Sequence, residues 1–126
     1  MKQGIQKELE MIGKYGCGFL CVLQRFNISE LEIISKYREV VERGIMDSEC
    51  YVKDWAKLFE YLSPVPAKYR VEKSYDLKPC DFYIEYWYNP KTKLHHFTLK
   101  DWDPLGFSNT VKDGTIESYR LVWINV

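Results

Sequence analysis

The sequence predicts an α+β domain in which N-terminal helices pack on a C-terminal antiparallel sheet. Up to about residue 63, apolar side chains recur at the three- and four-residue spacing of amphipathic helices. Beyond the segment Ser63-Pro64-Val65-Pro66, the chain changes to short apolar and aromatic runs separated by turn residues, which favours strands. Helices followed by strands are typical of α+β proteins. Because 126 residues suffice for one hydrophobic core but not for two, we expect one domain over 1–126, helical in 1–63 and strand-rich in 67–126.

Four segments of the first half carry a helical apolar stripe. They are residues 3–12, 17–26, 30–43 and about 51–62. Gly13 is the expected C-cap of the first helix and is followed by a loop over 14–16. Ser29 has the side chain of an N-cap, and Gly44 is expected to end the helix that Ser29 begins.

Four segments of the second half are expected to form strands. They are residues 68–73, 81–88, 94–100 and 117–124. The segment 89–93 has the composition of a hairpin loop between the two middle strands, and Asp113-Gly114 is a second turn signal. We therefore expect helix 17–26 to pack on a sheet in which 81–88 and 94–100 pair antiparallel.

The composition argues against several classes of partner. The 18 basic and 18 acidic side chains cancel, so no overall charge attracts nucleic acid or an anionic membrane. No apolar run approaches the ~20 residues that span a bilayer. The first residues carry mixed charge where a secretory signal would be apolar, so we expect a cytoplasmic protein, or one exported by another route such as phage lysis. The sequence leaves the oligomeric state open.

Cys17 stands between two glycines at the start of the second predicted helix. The unpaired N–H groups of a first helical turn favour a thiolate and can also hold a developing oxyanion. Flanking glycines leave room for a substrate carbonyl. The pattern is typical of a nucleophilic cysteine, but taken alone it favours a small buried residue in a glycine loop.

A histidine that could serve as the base lies in the third predicted strand, which begins near His95 and His96. Neighbouring residues of a strand point to opposite faces, so only one of the two can face the thiol. His95 shares its face with apolar side chains, which places His96 on the expected wetter face. The ring of the base needs an oxygen that orients it, and we expect Asp103 first and Asp101 second. Asn109 and Asp113 follow further along the chain.

Metal binding is the other chemistry that the cysteines suggest. Cys17 and Cys21 are four residues apart and would share one helical face, with two histidines downstream. Structural zinc sites usually contain C-x-x-C knuckles, and adjacent histidines of a regular strand cannot both reach one ion. We therefore expect no metal and no other cofactor, with Cys21 buried and Cys21, Cys50 and Cys80 free of disulfides and zinc.

The order of these features resembles the papain-like cysteine peptidases. Tyr15-Gly16-Cys17-Gly18 and His96-Phe97 are similar to the nucleophile and histidine motifs of a compact bacterial branch, the double-glycine bacteriocin-processing peptidases. Over most of its length the chain also resembles a small uncharacterised family of spirochaete and prophage proteins placed in the papain-like superfamily. That second resemblance is most apparent at 108–112 and Gly114. Both resemblances imply a papain-like fold.

The resemblance also implies a cysteine hydrolase that cleaves a peptide or a peptidoglycan stem amide. Cys17 would attack the carbonyl carbon, His96 would transfer the proton and Asp103 would orient His96. The backbone around Cys17 and Gly18 would hold the oxyanion. A second hypothesis is a catalytically silent papain-like scaffold, a phage or plasmid accessory protein that binds a protein partner.

The chain departs from the pattern of the double-glycine peptidases in two places. At the histidine motif, the residue before His96 is His95 and not glycine, and Asp103 follows His96 by only seven residues. The other departure precedes the nucleophile. These enzymes place a glutamine six residues before the nucleophile to complete the oxyanion hole, and this chain has Met11 there. Gln6 on the first predicted helix is the alternative donor, provided that the loop geometry brings it to Cys17.

Overall fold

A computed structural model describes residues 2–106 and 109–125 of the chain. Helices and strands follow one another in this order: α1 (Lys2–Tyr15), α2 (Cys17–Arg25), a 3₁₀ turn (Glu30–Glu32), α3 (Ile33–Glu42), α4 (Trp55–Leu62), β1 (Lys68–Ser74), β2 (Phe82–Asn89), β3 (Leu94–Leu99), α5 (Asn109–Lys112) and β4 (Thr115–Asn125). Within the described residues, no helix is long and apolar enough to cross a membrane.

The strands form one antiparallel sheet in the order β1-β4-β2-β3. The α+β arrangement of N-terminal helices and a C-terminal sheet is therefore confirmed. β2 and β3 form a hairpin in which Tyr86 pairs with Phe97, so the expected antiparallel pairing of these strands is confirmed as well. Among the described strands, β3 has a neighbour on one side only, and α2 packs against it.

The first two helices meet at a sharper junction than the sequence predicts. α1 continues through Gly13 to Tyr15, so the expected C-cap at Gly13 and the loop over 14–16 are wrong. The Gly16 N–H still bonds to the Ile12 carbonyl, and only Gly16 separates α1 from α2. A Cβ at Gly16 would lie 2.5 Å from that carbonyl oxygen, so the junction requires glycine.

Other element boundaries differ by a few residues. α4 begins at Trp55 and not near 51, because Asp54 caps it by accepting a hydrogen bond from the Lys57 N–H at 3.0 Å. Ser29 caps the 3₁₀ turn before α3, and its hydroxyl accepts a bond from the Leu31 N–H. The short helix α5 was not predicted. Its four residues are too few to carry a helical apolar pattern.

The hydrophobic core lies between the helices and one face of the sheet. Phe19 and Val22 of α2, Phe59 of α4 and Ile84 of β2 are fully buried in it. Cys21 is also fully buried, as expected. On the sheet side, rings of β1, β2 and β3 pack against α4, and they include Tyr69, Phe82 and Phe97.

Gly18 sets the distance between α2 and the sheet. A Cβ at this position would lie 2.8 Å from Cη2 of Trp55 and 3.2 Å from Cδ2 of Phe97. Both neighbours are rigid rings, so neither can move aside at low cost. Any larger residue would push α2 away from β3.

We expect Gly18→Ala to lower the free energy of unfolding by about 1–3 kcal/mol, because the methyl group overpacks a closed contact. Gly13→Ala is the matched control, since Gly13 is helical and exposed and has open space where a Cβ would stand. That substitution should raise the free energy of unfolding by about 0.5–1 kcal/mol. Urea unfolding followed by circular dichroism measures both. Equal effects of the two substitutions would contradict the packing argument.

Candidate active site

Cys17 is the first residue of α2. Among the described residues no side chain caps the helix at Gly16, so the N–H groups of its first turn have neither an acceptor within the helix nor a capping oxygen. These groups and the helix dipole place partial positive charge beside the thiol. Cys17 is partly exposed, whereas Gly18 and Phe19 beyond it are buried. The start of α2 therefore combines an accessible sulfur with donors that favour negative charge.

The Cys17 sulfur lies against the open edge of β3. It accepts a hydrogen bond from the Phe97 backbone N–H at an N–S distance of 3.4 Å. An edge strand has N–H groups that no neighbouring strand uses, and here the sulfur takes one of them. No sequence pattern indicates this contact, because it depends on where β3 stands in the sheet.

The imidazole of His96 connects Cys17 with Asp103. Its Nε2 lies 2.5 Å from Oδ1 of Asp103, and the Cys17 side chain is near enough to raise the pKa of the ring through hydrogen bonding and charge. Because Nε2 faces the carboxylate, Nδ1 is the nitrogen left for the sulfur. His96 is 3% exposed, so the middle of this chain of three side chains is closed to water.

The surroundings of His96 favour its charged form. Burial by itself lowers the pKa of the imidazole, whereas hydrogen bonds to Cys17 and Asp103 and the negative charge of both raise it. The net result is a pKa above the usual 6.5. The hydrogen bonds and charges around the ring therefore outweigh its burial and favour the imidazolium.

Asp103 reaches His96 because the chain reverses directly after β3. Leu99 and Trp102 pair with each other through two backbone hydrogen bonds, which brings the following residue back along the strand. Oδ1 of Asp103 also accepts the Leu105 N–H at 2.8 Å, which fixes the carboxylate. Asp101, the second expected partner, is an exposed turn residue with φ of +63° and has no described contact with His96.

His95 and His96 point to opposite faces, as the strand period requires. His95 is exposed, stacks on Tyr86 and lies with its Nε2 3.3 Å from Oε2 of Glu117. The expectation that His96 stands on the wetter face is wrong. The loop that carries Asp103 covers this face, whereas His95 lies near the exposed beginning of β3.

Of the two oxyanion donors expected from the sequence, Gly18 lies beside Cys17 and Gln6 does not. Gly18 lies in the first turn of α2 beside Cys17, and its N–H belongs to the uncapped end of that helix. Gln6 is exposed on α1, and the nine residues from Gln6 to Tyr15 span about 14 Å along the helix axis, farther than a glutamine side chain extends. Met11 is directed to a cavity between α1 and α3. The structure therefore does not support Gln6 as a donor to this site.

A cleft of about 790 Å³ adjoins the Asp103 end of the site. Its lining includes the Tyr83, Trp87 and Trp102 side chains, together with Glu85 and Asp103. Thr98 at its wall accepts a hydrogen bond from Trp87 Nε1 and donates one to Glu85. Cys17 is not among the lining residues, so the cleft borders Asp103 and not the thiol.

The other three cysteines are also free, and two of them, Cys21 and Cys50, are buried. Burial raises the pKa of Cys21 well above its usual range, and the pKa of Cys50 to about 12. Cys80 is partly exposed. Within residues 2–106 and 109–125, no group of three or more His, Cys, Asp or Glu side chains could hold a metal ion.

Comparison with known proteins gives one match. The model of a family described as "Protein of unknown function, DUF261" matches residues 1–124. No curated protein and no solved structure matches the chain. The resembling segment at 108–112 includes Ser108, which lies outside the described residues.

We expect Asp103→Asn to lower the pKa of His96. The substitution removes a carboxylate charge that raises this pKa and leaves the opposing burial in place. The chain has two histidines, so proton NMR titration follows both rings, and His95→Gln assigns them. Asp101→Asn is the control and should leave the His96 titration unchanged. An unchanged pKa in Asp103→Asn would show that the carboxylate does not hold the imidazolium.

Proposed function

The chain belongs to the DUF261 family, and on the geometry of its site we propose that it is a cysteine hydrolase that cleaves an amide bond. The observation that carries the proposal is the chain of side chains Cys17, His96 and Asp103. The three come from a helix N-terminus, an edge strand and the turn after that strand. A nucleophile, a base and an oriented carboxylate in hydrogen-bond sequence are the parts that nucleophilic catalysis needs.

The proposed reaction uses each group in turn. His96 accepts the thiol proton, and the Cys17 sulfur attacks the carbonyl carbon of the amide. The C–N bond breaks, the leaving amine takes the proton from the imidazolium, and the acyl group remains on sulfur as a thioester. A water molecule that gives a proton to His96 then attacks the thioester, which releases the carboxylic acid and restores the thiol. Asp103 keeps the ring oriented throughout.

The backbone at the start of α2 supplies the proposed oxyanion site. The N–H groups of Cys17 and Gly18 belong to the uncapped first turn, so they are available to the oxygen that becomes negative. The substrate class that we propose is a peptide or a peptidoglycan stem peptide, without a cofactor. The four free thiols suit a reducing compartment, and we propose a cytoplasmic location.

The fold is also compatible with the papain-like arrangement that the sequence resembles. A nucleophile at a helix N-terminus faces a histidine on an antiparallel strand, and we propose that the domain belongs to that superfamily. Two observations favour the second candidate, a silent scaffold that binds a protein. The cleft beside Asp103 does not include Cys17, and Gln6 does not complete an oxyanion hole. Thiol reactivity separates the two candidates.

We expect iodoacetamide to alkylate Cys17 rapidly at about pH 6, well below the ~8.5 at which a free cysteine ionises. The experiment uses Cys80→Ser protein, because the partly exposed Cys80 would also react. Cys21 and Cys50 can stay, because burial protects them. His96→Gln should slow alkylation at this pH by about tenfold or more, since the imidazolium no longer favours the thiolate. His95→Gln is the matched control and should react at the parental rate. Alkylation that needs alkaline pH in every variant would favour the scaffold.

We expect the protein to cleave amide bonds in pooled peptides or in peptidoglycan fragments, read by mass spectrometry. Cys17→Ser should keep the thermal transition and abolish cleavage, because serine is nearly isosteric but far less acidic. His96→Gln should lower the rate roughly 100-fold or more through loss of the base. His95→Gln should keep full activity. Cleavage that survives in Cys17→Ser would contradict the proposed nucleophile.

A further inference from the structure

Arg120 of β4 holds a half-buried guanidinium beside the candidate site. Its Cζ lies 5.2 Å from the ring centroid of Tyr86 and 5.4 Å from that of Phe97. The same Phe97 donates its backbone N–H to the Cys17 sulfur. One residue therefore contacts both the guanidinium and the thiol, which puts the charge of Arg120 within reach of a group bound at Cys17.

Arg120 makes no ion pair among the described residues. Its described hydrogen bond runs from Nη1 to Oγ of Ser118 at 3.2 Å. Glu117, the nearest carboxylate along the chain, lies in the pair with His95. A register shift opposite Tyr86 makes Glu117 the extra residue of β4 and accounts for that pairing. A guanidinium has five N–H donors, so most of those on Arg120 are available to a ligand.

Two other arginines of the chain differ from Arg120 in their partners and in their exposure to water. The exposed Arg38 binds both carboxylate oxygens of Glu8 at 2.7 and 2.6 Å. Arg70 lies over the Trp123 ring but is exposed to water. Arg120 is the more buried cation, and burial lowers its pKa, so water solvates its charge less well. A half-buried cation without a salt bridge among the described residues has an electrostatic cost that the aromatic rings and the more distant charge of Glu117 offset only in part.

We propose that Arg120 binds a carboxylate of the substrate close to the scissile amide. The role of Arg120 in hydrolysis rests on the proposed function, whereas its binding of a carboxylate does not. A guanidinium offers a planar pair of donors that matches a carboxylate, and the Tyr86 and Phe97 rings border that of Arg120. The carboxylate has two sources in a peptide, an acidic side chain or the free C-terminal group.

Binding is measured by calorimetry on Cys17→Ala protein, so that no turnover takes place. The probes are acetylated tripeptide amides with a central glutamate or a central glutamine, and trialanine with either a free or an amidated C-terminus. We expect one acidic probe to bind about tenfold more tightly than its neutral twin, the gain of a charge-assisted hydrogen bond. The pair that shows the preference identifies the source of the carboxylate.

Substitution of Arg120 must then remove the preference. Arg120→Met keeps much of the side-chain volume without the charge and should bind acidic and neutral probes equally, while its thermal transition reports the fold. Arg120→Lys keeps the charge without the planar donors and should retain part of the preference. Arg70→Gln is the matched control and should retain all of it. Equal binding of acidic and neutral probes by the Cys17→Ala protein, or a preference that survives in Arg120→Met, would overturn the proposal.

The two proposals fail separately. A slow, alkaline alkylation of Cys17 would remove the hydrolase and leave carboxylate binding in place. Fast alkylation with no acidic preference would support the hydrolase and overturn the role of Arg120.

Discussion

The close approach of α2 to the edge strand β3 is the constraint on which the candidate site depends. Gly18 permits it, because Trp55 and Phe97 leave no room there for a side chain. At this distance the Phe97 N–H meets the Cys17 sulfur, and the thiol comes beside His96. If β3 were an inner strand, that N–H would pair with another strand. The strand order therefore determines whether the Phe97 N–H is available to the Cys17 sulfur.

The site also ties stability to function through buried polar groups. His96 is almost fully buried, and the hydrogen bonds with Asp103 and Cys17 compensate for its desolvation. Removal of one partner leaves the imidazole unsatisfied, so a variant of this site changes folding as well as reactivity. The two sides of β3 differ in charge, since carboxylates line the cleft beyond Asp103 and the guanidinium of Arg120 lies over Phe97.

Most of the fold could be predicted from the sequence, because its signals are local. Helical spacing, the prolines after Ser63 and the alternation of later segments indicate the element order and the fold class. The boundaries were less certain where two local rules competed. Gly13 resembles a helix end, but the helix continues through it, and the contact between Gly16 and the Ile12 carbonyl decides the break. That contact depends on the angle between two helices, and the spacing of apolar residues along the sequence does not indicate this angle.

By itself, the sequence determined that a cysteine begins a helix and that histidines and aspartates follow on a strand and its turn. Only the tertiary structure shows which of His95 and His96 is buried beside Asp103, because the strand period separates the two without indicating which one is covered. It also decided between Asp101 and Asp103, because the pairing of Leu99 with Trp102 reverses the chain. No sequence pattern singles out Arg120. That it has no ion-pair partner among the described residues follows from packing and strand register, and both are properties of the assembled sheet.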